Sequence, residues 1–184
     1  MGAMRAWENP FRSERIDALP YRAEGFHWKA LESRLAASAG RGAIIGPEGH
    51  GKTTLMREWL ERYRAQDQEA VLIKLEFRQR RLTPSQRNLM RESPRVFLDS
   101  AEQLSWWGWH EARHLTRQTN VFVITSHRAG LLPTLIHCRT SPELLNELIQ
   151  ELNGKNQDCQ TLWHQHRGNI RHALRSLYDV AAAG

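Results

Sequence analysis

Eight consecutive residues of this 184-residue chain, Gly46-Pro47-Glu48-Gly49-His50-Gly51-Lys52-Thr53, have types and spacing that suit one chemistry. They match G-x-x-x-x-G-K-[ST] at every fixed position. Gly46, Gly49 and Gly51 let the backbone curl so that successive N–H groups point inward at phosphate oxygens. A helix beginning near Lys52 adds the positive end of its dipole. Lys52 would then reach the β- and γ-phosphates of a nucleoside triphosphate, and the Thr53 hydroxyl would ligate its magnesium ion. The expected nucleotide contacts are therefore Gly46, Pro47, Glu48, Gly49, His50, Gly51, Lys52, Thr53 and Thr54.

A second group with the right chemistry is Asp99, which closes the apolar run Arg95-Val96-Phe97-Leu98-Asp99. A carboxylate at the end of a buried strand can hold magnesium opposite Thr53. The plainer alternative is an N-cap for the helical run that starts at Ala101. A rival motif is His110-Glu111-Ala112-Arg113-His114, a formal H-E-x-x-H. On a helix its two histidines share a face, as zinc hydrolysis needs, with Glu111 as general base. Nine histidines in the chain make a chance match easy, and no third ligand stands out; Glu143 and Glu147 fall in a different part of the chain.

The elements that must position these groups can be read from periodicity. Residues 7–11 are turn-like, and residues 27–37 have helical spacing through Trp28, Leu31 and Leu35. A short strand at 43–45 precedes the glycine loop, and a helix over 52–64 follows, with Leu55, Trp59 and Tyr63 on one stripe. Strands are expected at 71–77, 96–98, 121–124 and 134–137, with a short helix opened by Thr83-Pro84 and a longer one over 101–117. Ser141-Pro142 opens the first of three closing helices, Asn153-Gly154 stops it, and two more follow over 156–166 and 168–181. Strands alternate with helices to about residue 140 and helices alone follow. That order predicts a parallel α/β sheet with a small helical appendage. The expected divisions are an N-terminal segment over 1–40, with Met1-Gly2-Ala3 read as a cloning scar, an α/β core over 41–140 and a helical lid over 141–184.

Composition narrows the class. Mean hydropathy is −0.62, and no apolar run approaches the ~20 residues of a membrane span. No basic start leads into a signal-type apolar stretch. Two cysteines, Cys138 and Cys159, in no CxxC spacing fit a reducing, cytoplasmic setting and exclude a disulfide scaffold. The net charge is +6, and the basic residues Arg78, Arg80, Arg81, Arg87 and Arg91 crowd one segment. Such a segment is either a solvated face or a nucleic-acid contact. Trp106, Trp107 and Trp109 cannot all face the core of a helix packed on one side. Either two of them pack and the third lies under arginine stems, or they form a protein-interaction surface.

Taken together, these segments resemble the AAA+ P-loop ATPases, in particular the small bacterial ExeA-like and transposition-helper group and the origin-type initiators. Gly46–Thr53 is similar to their Walker A loop, and Leu98-Asp99-Ser100-Ala101-Glu102-Gln103-Leu104 to their Walker B segment. Asn9-Pro10-Phe11 resembles the opening of many such chains, and Val123-Ile124-Thr125-Ser126-His127 the strand that carries sensor 1. Gly168-Asn169-Ile170-Arg171 resembles the start of the lid helix that carries a sensor 2 arginine. The resemblance implies a five-stranded parallel sheet in the order 5-1-4-3-2 with a helical lid. It also implies ATP and Mg2+ as ligands, bound between the Gly46–Thr53 loop and Arg171, with Thr125 or Ser126 sensing the γ-phosphate. It further implies self-association into a ring or filament and an unidentified protein partner.

The sequence departs from that pattern at one position. Where these ATPases carry a glutamate directly after the Walker B aspartate, this chain has Ser100. Glu102 and Glu76 are the candidate substitutes, and Arg128 and Arg139 the candidate arginine fingers. The expected activity is thus a nucleotide-dependent switch or assembly factor with slow ATP hydrolysis, resting on Lys52, Asp99, Glu102, Thr125 and Arg171. The alternatives are a DNA-binding adaptor using residues 78–91 and the zinc hydrolase already described.

Overall fold

The computed structural model describes residues 8–153 and 157–183. Its contacts group into two units: one from the described parts of Met1–Glu24 and Arg139–Gly184 together with Pro47–Gly51, the other from Gly25–Gly46 and Lys52–Cys138.

The larger unit is built on five parallel strands, β1 (Arg41–Ile45), β2 (Val71–Lys74), β3 (Arg95–Asp99), β4 (Val121–Ser126) and β5 (Thr134–His137), in the order β2-β3-β4-β1-β5. Read from the other edge this is 5-1-4-3-2, the order that the resemblance implies. The centre of the sheet is covered on both faces, so its strands are apolar without alternation; β4 is buried along its whole length. On one face Ala43, Ile45, Val96, Leu98, Phe122 and Ile124 pack with Met90, Trp109 and Ala112 of helices α4 (Pro84–Glu92) and α5 (Trp106–Leu115). On the other, Trp59 of α3 (Lys52–Arg64) meets Phe97 edge-on at 5.9 Å and Trp28 of α2 (Trp28–Ala37) at 6.2 Å. Each such large side chain contributes roughly 1.5–3 kcal/mol on burial. The result is a three-layer helix–sheet–helix unit.

Two expectations need correction here. The strand drawn over 71–77 ends at Lys74, because Gln79 closes a turn: its N–H donates to the Glu76 carbonyl and its side-chain oxygen accepts from the Glu76 N–H. The helix drawn over 101–117 is two pieces. A 3-10 turn, Ala101–Gln103, ends at Leu104 in extended conformation, and Ser105 then caps α5 by accepting from the Gly108 N–H at 3.2 Å. A serine at this point competes for backbone donors better as a cap than within a helix.

The smaller unit holds helices α1 (Ser13–Asp17), which the periodicity did not predict, α6 (Pro142–Asn153), α7 (Cys159–Gln165) and α8 (Ile170–Ala183). Phe11 and Leu19 join Leu145, Ile149, Ala173 and Leu174 in its core. Asn9 fixes that arrangement: its side chain accepts from the Phe11 N–H at 3.0 Å and donates to the Tyr178 carbonyl at 2.9 Å. Among the described residues no helix is long and apolar enough to cross a membrane.

Candidate functional site

The carboxyl ends of β1, β3 and β4 bring the predicted groups together. Lys52, the first residue of α3, is buried, and its ammonium donates to the Gly46 carbonyl at 2.7 Å, closing the ends of the glycine loop on each other. Thr53 donates its hydroxyl to Asp99 Oδ2 at 3.0 Å, with Oδ1 at 3.3 Å. Asp99 is only 2% exposed, and its Oδ1 also accepts from the Thr125 hydroxyl at 2.5 Å. Two hydroxyls aimed at one carboxylate offset the cost of burying it. The plainer reading of Asp99 as an N-cap is not what the structure contains: Ser100 occupies the position before the 3-10 turn, with no side-chain cap bond.

Thr125 has both hydroxyl functions engaged, donating to Asp99 and accepting from the Ser100 N–H at 2.7 Å. The hydroxyl therefore orients Asp99 and fixes the turn after it. Ser126 is buried too and accepts from the Arg128 N–H at 3.3 Å. Thr54 lies half-buried in the first turn of α3.

The loop tip belongs to the smaller unit. Gly49 and Gly51 have φ of +75° and +81°, which a side chain adopts only under strain. Space adds a second demand: a Cβ on Gly49 would run into the Asn169 carboxamide, and one on Gly51 would meet the Tyr21 ring at 3.2 Å. Asn169 in turn accepts from the His172 N–H at 3.0 Å, at the start of α8. His50 Nδ1 lies 3.0 Å from the Glu48 carbonyl, and Pro47 and Glu48 are exposed. Arg171 is exposed in the first turn of α8. Tyr21 carries no sequence signal, and Asn169 carries one only as part of the run resembling a lid helix, since a glycine motif does not say which side chains will line its outer surface.

The candidates for a water-activating carboxylate separate. Ser100 sits in the left-handed region, at φ 65° and ψ 43°. Glu76 is exposed. Glu102 is largely buried, 23% exposed, with one oxygen 3.5 Å from Nε2 of His127. Arg128 and Arg139 are exposed.

The H-E-x-x-H segment does lie on α5, but its groups are otherwise engaged. Glu111 pairs with Arg87 of α4 at 2.8 Å, and the His110 ring lies 4.1 Å from that of Trp106. Among the described residues no three His, Cys, Asp or Glu side chains cluster to hold a metal ion. Of the three tryptophans only Trp109 packs inward, stacked on Phe122 at 6.1 Å, so of the two alternatives the one in which two of them pack is not what the structure contains. Trp106 and Trp107 are 62% and 70% exposed. Phe77, 78% exposed, belongs to the β2–α4 connection, which is tied to the start of α5: the Arg80 carbonyl accepts from the N–H and the hydroxyl of Ser105 at 3.0 and 2.9 Å.

No family model and no curated protein sequence matches the chain. Solved structures do. A replication initiator DnaA bound to AMPPCP and single-stranded DNA aligns with a TM-score of 0.62 at 13% identity, covering 85% of this chain and 61% of that one. AMPPCP-bound DnaA from Aquifex aeolicus aligns at 0.61 and 15%, covering 83% and 60%. A DNA replication initiation factor aligns at 0.58 and 14%, covering 81% and 58%. The chain thus spans about three-fifths of each of these proteins. At such identities the likeness speaks for the fold alone. Five parallel strands in this order, with flanking helices, are the AAA+ type of P-loop NTPase fold.

Proposed function

We propose that this chain is an ATP-binding AAA+-type switch that hydrolyses ATP slowly. The observation that carries the reading is Asp99, buried at the end of β3 and bonded to Thr53, the residue after the loop lysine. A hydroxyl and a carboxylate side by side are hard-oxygen donors of the kind magnesium takes, one or two from protein and the rest from water and phosphate. Thr53 and Asp99 would hold the ion, which when bound neutralises charge on the β- and γ-phosphate oxygens. Lys52 and the free backbone N–H groups of the glycine loop would bind and orient the triphosphate. Arg171 couples the bound nucleotide to the position of α8. Ser100, where a glutamate would serve the water, keeps turnover low and suits a protein whose bound state is the signal. The AMPPCP in two of the similar structures agrees with ATP as the ligand. Calorimetric titration of the wild-type chain with ATP and magnesium tests this; a flat titration sinks it. Light scattering with and without a slowly hydrolysed analogue reads whether ATP drives self-association.

A second reading, a nucleic-acid adaptor, is favoured by one feature. Phe77, Trp106 and Trp107 are exposed around a loop that also carries Arg78, Arg80 and Arg81, and the Arg78 guanidinium lies 5.1 Å over the Phe77 ring. Aromatic faces among arginines suit single-stranded nucleic acid, which one similar structure holds. Binding of an oligonucleotide that weakens steeply with salt, and less steeply after Arg78, Arg80 and Arg81 become alanine, supports it. Equal binding by both proteins assigns the arginines to the solvated surface.

A further inference from the structure

We propose that Glu102 and His127 form the water-activating pair of this site, Glu102 as the catalytic base and His127 as the residue that positions it. The inference rests on the nucleotide reading above and deepens it. Two rungs join the carboxyl ends of β3 and β4. In the first, the Asp99 carboxylate accepts from Thr125. In the second, two residues on from Thr125 and three on from Asp99, past the ends of both strands, the Glu102 carboxylate faces the His127 ring at 3.5 Å.

The backbone between the rungs is fixed. The Ser100 N–H is held by Thr125, and the N–H groups of Gln103 and Leu104 donate to the carbonyls of Ser100 and Ala101 at 2.9 and 3.2 Å. This turn carries the chain past Ser100 and delivers Glu102 instead. The other oxygen of Glu102, Oε2, is buried and finds no hydrogen-bond donor among the described residues. A buried carboxylate oxygen without a donor is costly, and such an atom in a folded protein calls for an explanation. A water with a proton to give is a donor of the right kind, and the carboxyl ends of strands are where ligands of open α/β sheets sit. Glu76, the rival base, is exposed and lacks this confinement.

The chemistry balances without a further reactant. The water oxygen forms a bond to the γ-phosphorus while the bond from phosphorus to the β–γ bridging oxygen breaks. That electron pair leaves on ADP, and the water proton passes to Glu102. His127 holds Oε1, so that Oε2 faces the water.

The test measures ATP affinity by titration and hydrolysis by single turnover with protein in excess, on wild type, Glu102→Gln, His127→Ala and His127→Gln. Glu102→Gln should slow cleavage about 10²–10⁴-fold with affinity unchanged, the usual contribution of a general base. His127→Ala should slow it by up to roughly 10²-fold, the scale of a displaced catalytic group. His127→Gln keeps a side-chain N–H donor and should restore most of the rate, which a merely structural histidine would not show. Cleavage unaffected by Glu102→Gln, or a glutamine at 127 no better than alanine, overturns the pair. A wild-type chain that binds ATP and cleaves none overturns it as well. Absence of ATP binding in the wild type is a separate result and sinks the parent reading.

Discussion

Two stretches of this chain carry formal catalytic motifs, the glycine loop with Lys52-Thr53 and the H-E-x-x-H of α5, and folding treats them differently. At the first, polar atoms from the loop after β1, from α3 and from the ends of β3 and β4 converge: Lys52 reaches back to Gly46, and Asp99 gathers Thr53 and Thr125. At the second they diverge: Glu111 turns to Arg87, and His110 lies against an exposed tryptophan. Both motifs sit on the elements their chemistry requires. The difference lies in what the neighbouring elements bring. A motif supplies two or three groups, and a site needs the others delivered by residues far away in sequence.

The largest expected effect breaks the comparison at its stronger end. Mg-ATP at a hundredfold excess over Kd should stabilise the wild type by about 2.7 kcal/mol. That is a melting shift of several degrees for a chain of this size. Lys52→Ala should abolish the shift, whereas replacing His110 and His114 together by alanine should leave it intact. If the histidine variant lost the shift, the two regions would have to exchange roles.

Next in size is the loop tip. Gly49→Ala should destabilise the protein by about 1–2 kcal/mol from its left-handed backbone alone, and by more because its methyl group meets Asn169. Asn169→Ala alone should cost roughly 1 kcal/mol as a lost cap. The double variant should be more stable than the sum of the two predicts, because truncating Asn169 relieves the collision. Strict additivity in denaturant melts would show that the two side chains do not meet.

A smaller effect belongs to the weaker motif. Arg87 and Glu111 are each about one-third exposed, at 33% and 34%. Glu111→Gln should therefore change stability by about 1 kcal/mol or less, and zinc should stabilise neither protein. Zinc stabilisation that disappears in the variant would revive the metal reading.

The smallest effect is chemical. Burial raises the Cys159 thiol above its ordinary value, and the neighbouring Asp158 charge raises it further. Near pH 8.5, where a free cysteine is half ionised, Cys159 should react with iodoacetamide more slowly than a cysteine in the unfolded chain. Equal rates by mass spectrometry would show the helix α7 end to be open.

Much of this was legible before folding, and the reason differs from residue to residue. The run Val121–Ile124 is apolar at every position because both faces of its strand are covered, so periodicity finds it. The loop at 46–53 is legible because phosphate binding needs backbone N–H groups, and only glycine frees the backbone to present them. The break at Leu104-Ser105 was not legible: the apolar spacing runs on through it, and what stops the first turn there is Ser105, which caps α5 and is tied to the distant Arg80 carbonyl. Nor was the fate of the tryptophans, because helical spacing fixes a direction but not which neighbour covers it. Trp109 finds Phe122, whereas Trp106 and Trp107 remain exposed.

What the sequence determined by itself was local: the glycine loop, the strand that ends in Asp99 and the alternation that makes a parallel sheet. These follow from φ/ψ freedom, apolar periodicity and residue chemistry within a few positions. The tertiary structure alone decided the partnerships: Thr125 with Asp99, His127 with Glu102, Asn169 with Gly49, and Arg87 with Glu111. Each joins residues 24 or more positions apart, and no local rule relates them. They meet because β3 and β4 lie side by side in register, α4 and α5 share one face of the sheet, and α8 begins where the loop tip turns.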